Sequence, residues 1–173
     1  MADFGACSNK YKVTAIGRCS EELAARLVKM DGDHNAASIE LRGVGRFVEF
    51  ADIIGAYSEG GWLAGIALFP DTVHYREKEL TKFFEYMAVG LPIVASNFPV
   101  WKTLIEDQGV GICVNPDDNE AIEKALDWLR DHPEEAAEMG RRGKRLAREK
   151  YSWDSQAENL IGLYQEIMDK KRA

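Results

Sequence analysis

The sequence predicts an α/β protein built on a doubly wound parallel sheet, on three observations. Short apolar runs alternate with amphipathic stretches along nearly the whole chain, the pattern of strand–crossover–strand units. The run Leu63-Ala-Gly-Ile-Ala-Leu-Phe69 is continuously apolar, as expected of a central parallel strand covered on both faces. The stretch from Glu77 to Ser96 reads as a polar loop, a helix and a buried strand in succession. In such sheets ligands bind outside the carboxyl ends of the strands.

Length and composition bound the rest. The chain has 173 residues, enough for one domain with a real core. Its 46% hydrophobic and 29% charged content suits a soluble globular protein, and a net charge of −7 argues against a nucleic-acid surface. Cys7, Cys19 and Cys113 are odd in number and widely spaced, so reduced thiols in a cytoplasmic protein are the simpler reading. No segment approaches the ~20 apolar residues of a membrane helix, and the start does not read as a signal peptide.

Residues 1–10 carry no clear element, and 11–173 are expected to form one domain. Tyr11 to Gly17 reads as a strand; Gly17-Arg18 lacks the G-x-G-x-x-G spacing of a phosphate loop. Ser20 is a candidate N-cap, with Glu21 and Glu22 in the first turn and Leu23, Leu27 and Met30 on the apolar side. Residues 31–35, with His34, read as a turn. Ser38–Arg42 alternates as a short strand, Gly43-Val44-Gly45 follows, and a helix is expected over 47–58. After residue 96, Pro99 opens a short helix with Val100, Leu104 and Ile105 inward. Residues 109–114 form a strand, 115–118 cap a helix through Arg130, and His132-Pro133 separates it from the next. Ser152 caps a last helix with Trp153, Leu160, Ile161, Tyr164, Ile167 and Met168 on one stripe, Trp153 reading as a core or domain-packing residue.

The organising stretch lies at the middle. Leu80, Phe83, Phe84 and Met87 recur at helical spacing, Gly90 ends the helix, and Pro92 enters the strand Ile93-Val-Ala95. Thr81 and Glu85 are four apart and share a flank beside the apolar stripe. Free N–H groups and the helix dipole at such an N-terminus attract phosphate. A carboxylate one turn further in accepts hydrogen bonds from ribose hydroxyls. Together these make a candidate nucleotide-sugar site. Arg76, Lys78 and Lys82 are nearby cations for a diphosphate, and His74 is a loop residue with a solvated reading and a substrate-touching one.

Residues 81–96, Thr-Lys-Phe-Phe-Glu-Tyr-Met-Ala-Val-Gly-Leu-Pro-Ile-Val-Ala-Ser, resemble the donor-site signature of the retaining GT4 glycosyltransferases of the GT-B fold. That family carries two Glu separated by seven residues, as Glu77 and Glu85 are here. The resemblance implies that Glu85 holds the donor ribose, and that Glu77, the candidate catalytic residue, lies by the transferred sugar, with Glu79 its competitor. It implies that backbone N–H groups at Leu80, Thr81 and Lys82 meet the phosphates, with Lys82 adding charge, and that the loop at Gly43 and Val44 touches the nucleobase. It covers nearly the whole chain, down to Tyr151-Ser-Trp-Asp154. The family's first donor-domain strand and its acceptor domain are not matched. The chain is therefore expected to be most of the C-terminal donor half of a two-domain transferase, inactive alone.

The function so implied is retaining transfer of a hexose from a nucleoside diphosphate sugar to a glycan or lipid-linked acceptor, as in polysaccharide biosynthesis. No cofactor or metal is implied; the mechanism is electrostatic. Peripheral membrane association of the whole enzyme is compatible with it. Competing readings are a nucleotide-sugar epimerase of the same fold, which needs further cleft carboxylates, and a non-catalytic nucleotide-binding module.

Overall fold

The computed structural model describes residues 10–32 and 39–172. Cys7, His34, the expected turn over 31–35 and the side chain of Met30 fall wholly or partly outside what it describes.

Two parallel sheets are found among the described residues. The first pairs β1 (Val13–Cys19) with β2 (Ile39–Val44) in the register Val13 to Ile39 and Ile16 to Arg42, joined by α1 (Glu21–Gly32). Ser20 accepts from the Leu23 N–H at 3.2 Å, as its N-cap reading requires. The strand runs two residues past Gly17, so Gly17 and Arg18 lie in a strand rather than a loop. Gly43 has a φ of 116°, and a side chain there would collide with the Gly17 carbonyl and Val48. Glycine is what lets the two strands approach.

After α2 (Phe50–Ser58) the second sheet begins, in the order β3 (Gly65–Ala67), β4 (Ile93–Ser96), β5 (Gly111–Val114). It is doubly wound. Ile93 and Ala95 enter one buried cluster with Phe83, Met87, Trp101 and Ile105. Val94 enters another, with Leu68, Val114, Ile122, Leu126 and Leu129. Alternate residues of β4 thus point to opposite cores. The helices α4 (Thr81–Val89) and α5 (Pro99–Ile105) cover the first face, and α6 (Asn119–Asp131) covers the second.

The expectation of one sheet with Leu63–Phe69 at its centre is corrected. Only Gly65–Ala67 is strand, and β3 has a single strand neighbour among the described residues. The run is apolar because both its faces are packed: Ala67 belongs to one cluster while Leu68 and Ile66 sit in the other. Apolar composition reports covered faces, not neighbouring strands. β1 and β3 therefore each keep an edge without a strand partner among the described residues.

The last part follows its capping signals. Asp118 accepts from the Ala121 N–H at 3.0 Å and opens α6. His132 stacks on Trp128 at 4.6 Å, and Pro133 begins α7 (Pro133–Glu149). Ser152 accepts from the Ser155 N–H at 3.2 Å and opens α8 (Trp153–Arg172). Three details differ from the sequence reading. The second helix starts at Phe50, leaving Phe47 exposed and Val48 buried. Trp101, not Val100, turns inward from α5. The stripe on α8 exists but faces outward: Trp153 is 74% and Tyr164 61% exposed. The core reading of Trp153 is thereby overturned, because periodicity marks a helix face without saying what covers it.

Helix α4 lies unusually close to its neighbours. A Cβ on Gly65 would strike the buried Tyr86 ring; one on Gly140 would meet the Gly90 backbone; one on Gly143 would lie 3.2 Å from the Met87 Cα. Gly65→Ala should lower the stability by about 1–3 kcal/mol, the cost of overpacking. Gly55→Ala, in open space inside α2, should raise it by about 0.4–1 kcal/mol. Urea unfolding of both variants checks the pair.

Candidate functional site

The candidate site lies where β3 gives way to α4. Residues 70–79 run from Pro70 at the end of the apolar run to the helix. They contain one helical turn where the sequence predicts only a loop, α3 (Val73–Arg76). Thr72 precedes it in extended conformation and Glu77 closes it at φ −108°, ψ 0°. Arg76 binds Asp71 through two nitrogens, at 2.5 and 2.8 Å, so that cation is already engaged inside the loop. Lys78 Nζ lies 3.4 Å from His74 Nε2, and His74 packs edge-on against Tyr75.

Leu80 is the N-cap of α4, extended at φ −101°, and no side chain caps the helix. Among the described residues no acceptor is found for the N–H groups of Thr81 and Lys82, the free donors that a helix start leaves. The Lys82 ammonium stands 5.9 Å from the centre of the Phe69 ring, bringing a cation beside those donors. At the other end Gly90 takes the left-handed conformation, and Leu91 N–H returns to the Tyr86 carbonyl at 2.9 Å.

Glu85 is half-buried one turn inside this helix. No hydrogen bond or ion pair to its carboxylate is found among the described residues. Two tyrosines stand beside it: Tyr57 from α2 and Tyr86 from α4, ring centres 5.2 Å apart. Burial, and then the Glu85 charge, raise the Tyr57 hydroxyl above its ordinary value. Burial also raises the Tyr86 hydroxyl, with Tyr57 and Glu85 adding to it. Both stay protonated at physiological pH, and Tyr86 donates to the Ile66 carbonyl at 3.3 Å. The packing of α2 on α4 puts Tyr57 there. Tyr57 carries no such signal in the sequence because it lies 28 positions from Glu85 and no local spacing connects them.

Glu77 and Glu79 are both exposed, without an ion pair among the described residues. Gly43 and Val44 lie at the end of β2, in the other sheet; no hydrogen bond joins them to the loop or to α4 among the described residues. A separate cleft of about 360 Å³ opens between β1, β2 and α2, lined by Ile16, Arg42, Arg46, Val48, Asp52 and Glu59. Its Arg42 is held by Glu40 at 2.8 Å and Glu59 at 3.0 Å. None of the cleft's lining residues belongs to the loop or to α4. Among the described residues no three His, Cys, Asp or Glu side chains converge as a metal site, and no helix is long and apolar enough to cross a membrane.

Known proteins share this fold. Sucrose-phosphate synthase from Thermosynechococcus elongatus superposes with a TM-score of 0.71 at 19% identity, over 92% of this chain and 39% of that one. A glycosyltransferase from Rickettsia africae ESF-5 gives 0.69 at 16% identity, over 92% and 40%. Anabaena HepE in complex with UDP gives 0.64 at 14% identity, over 97% and 42%. The fold is accordingly α/β with parallel sheets, the Rossmann-like half-domain of GT-B glycosyltransferases. An MMP α-(1→4)-mannosyltransferase from Mycolicibacterium hassiacum is 32% identical over 90 residues, 51% of this chain and 22% of that protein. The chain thus spans about a fifth of that curated relative and about two fifths of the solved structures. The sequence profile of the family described as "Glycosyl transferase-like" matches residues 38–162, which hold the loop, α4 and β4 entire. With its site inside that span, the chain belongs to the glycosyl transferase-like family.

Proposed function

We propose that this chain is most of the donor-binding half of a retaining GT4 glycosyltransferase that moves a hexose from a nucleoside diphosphate sugar to a glycan or lipid-linked acceptor. The observation that carries the proposal is Glu85, a half-buried carboxylate without a protein partner among the described residues, one turn inside an uncapped helix start. A carboxylate so placed is matched by paired hydroxyl donors such as those of a ribose. The Thr81 and Lys82 N–H groups then meet the diphosphate, with the Lys82 charge beside them. Glu77, at the end of α3, faces the sugar side. The site lowers the barrier by holding the departing diphosphate and the sugar cation, and it calls on no metal ion or cofactor. Gly43 and Val44 take the nucleobase by backbone contact.

The chain's span of about two fifths of the solved structures, with edges of β1 and β3 that have no strand partner among the described residues, supports a longer parent protein. In it, one further strand–helix unit completes a single sheet and an acceptor domain closes over the loop. The exposed stripe of α8, from Trp153 to Met168, is then a surface for packing against that domain. Cys19 and Cys113, both free among the described residues, are compatible with a reducing compartment, and the reading places the enzyme in the cytoplasm, docking at a membrane where the acceptor is lipid-linked, in polysaccharide assembly.

Titration with UDP, GDP and ADP tests the site. The chain should bind one of them and transfer no sugar by itself. Glu85→Ala should weaken that binding by about 1.5–3 kcal/mol, the range for hydrogen bonds to a charged group, with the fold intact by circular dichroism. Unchanged affinity would reduce Glu85 to a helix charge. In the parent transferase, Glu77→Gln should lower turnover by tenfold or more, roughly 1.4 kcal/mol, with little change in nucleoside diphosphate affinity. Glu79→Gln should leave steady-state kinetics alone; damage there instead would move the sugar-side carboxylate two residues along.

A further inference from the structure

Residues 70–79 are surface chain, yet the run is tied down just before its start by the last residue of β4 and near its end by the helix that follows, α5. Ser96, the last residue of β4, is fully buried. Its Oγ accepts from the Phe69 N–H at 2.8 Å and donates to the Phe69 carbonyl at 2.9 Å. Ladder pairing of β3 with β4 is recorded as far as Ala67 to Ala95. Two residues on, one hydroxyl answers both backbone groups of Phe69, as a neighbouring strand would. Near the other end Trp101, also fully buried, donates from Nε1 to the Lys78 carbonyl at 2.7 Å. Among the described residues this is the one hydrogen bond that reaches residues 70–79 from outside the loop.

The two ties are also linked sideways. Trp101 meets the Phe69 ring edge-on at 5.9 Å, and Phe69 packs on Tyr75 of α3 at 4.6 Å. The entrance of the loop, its helical turn and its exit all rest on one indole and one hydroxyl. The next residue back from Lys78 is Glu77.

We propose that Ser96 and Trp101 are positioning residues for Glu77: they fix both ends of the loop so that its carboxylate meets the donor sugar in one place. The inference rests on the reading of residues 70–79 as the sugar-side wall of the site. Neither side chain touches the ligand in this account; each acts through the loop backbone. Displacing a reacting group by about 1 Å is enough for a hundredfold loss of rate. Losing the Ser96 hydroxyl leaves the part-buried N–H and carbonyl of Phe69 without that partner, and they regain one by the loop root moving toward water.

Hydrogen exchange read by mass spectrometry on the full chain tests the clasp without any ligand. In Ser96→Ala, and separately in Trp101→Phe, peptides covering 70–79 should exchange at least about tenfold faster while those of β4 and β5 keep their protection. Ser96→Thr, which retains the hydroxyl, should restore the slow exchange. Unchanged loop exchange, or an equal loss of protection across β3, β4 and β5, would overturn the proposal. The consequence is read by titration with UDP-glucose and GDP-mannose against UDP and GDP. Ser96→Ala should weaken the sugar nucleotide severalfold and leave the bare nucleoside diphosphate within twofold; equal weakening of both would make Ser96 a general structural residue. A wild-type chain that binds none of these four, and neither ADP nor ADP-glucose, overturns the site reading itself. The exchange result separates that failure from failure of the clasp.

Discussion

Helix α4 can be where it is only because side chains are missing at three points of contact. Gly65 lies under the face of Tyr86, Gly140 meets the backbone of Gly90, and Gly143 rides over Met87. Any Cβ at the first two would overlap atoms that cannot swing aside. The helix is therefore held against the sheet on one side and α7 on the other at backbone distance, closer than a side-chain-mediated contact would allow. Everything proposed for the site depends on this. The start of α4 presents its N–H groups at a fixed place, and Glu85 is drawn in between α2 and α4 next to two protonated tyrosines.

The loop before the helix obeys a different rule. Its own bonds are surface ones: Asp71 to Arg76, Lys78 to His74. Exposed pairs of this kind contribute little. Its definition comes instead from the buried Ser96 hydroxyl and the Trp101 indole. On the proposed reading, the site joins a phosphate-facing helix to a sugar-facing loop whose order is borrowed from the core. That division suits an enzyme in which ground-state binding of the nucleotide and stabilisation of the breaking bond are separate tasks.

Much of this was legible in the sequence. The i, i+3, i+4, i+7 spacing from Leu80 to Met87 placed α4, Gly90 placed its end, and Ser20, Asp118 and Ser152 marked helix starts where the structure has them. These signals are local, carried by residues within one or two turns of each other. What stayed hidden is non-local. Ser96 reads as the last small residue of a strand, and nothing in its neighbours says that it serves Phe69, 27 positions away. Trp101 carries no local cue to its partner, the Lys78 carbonyl, which lies 23 positions away. The apolar run at 63–69 announced burial on both faces and was read as a central strand, though pairing is a property of edges, which side-chain pattern does not encode. The stripe on α8 is the converse case: a correct helix face with its cover left unspecified.

The most direct test of the account is the position of a nucleotide. A crystal of the chain soaked with UDP, or with whichever nucleoside diphosphate binds, should place the diphosphate within hydrogen-bond distance of the Thr81 and Lys82 N–H groups, and the ribose hydroxyls on the Glu85 carboxylate. A nucleotide lodged instead in the cleft between β2 and α2, against Arg42 and Arg46, would contradict it.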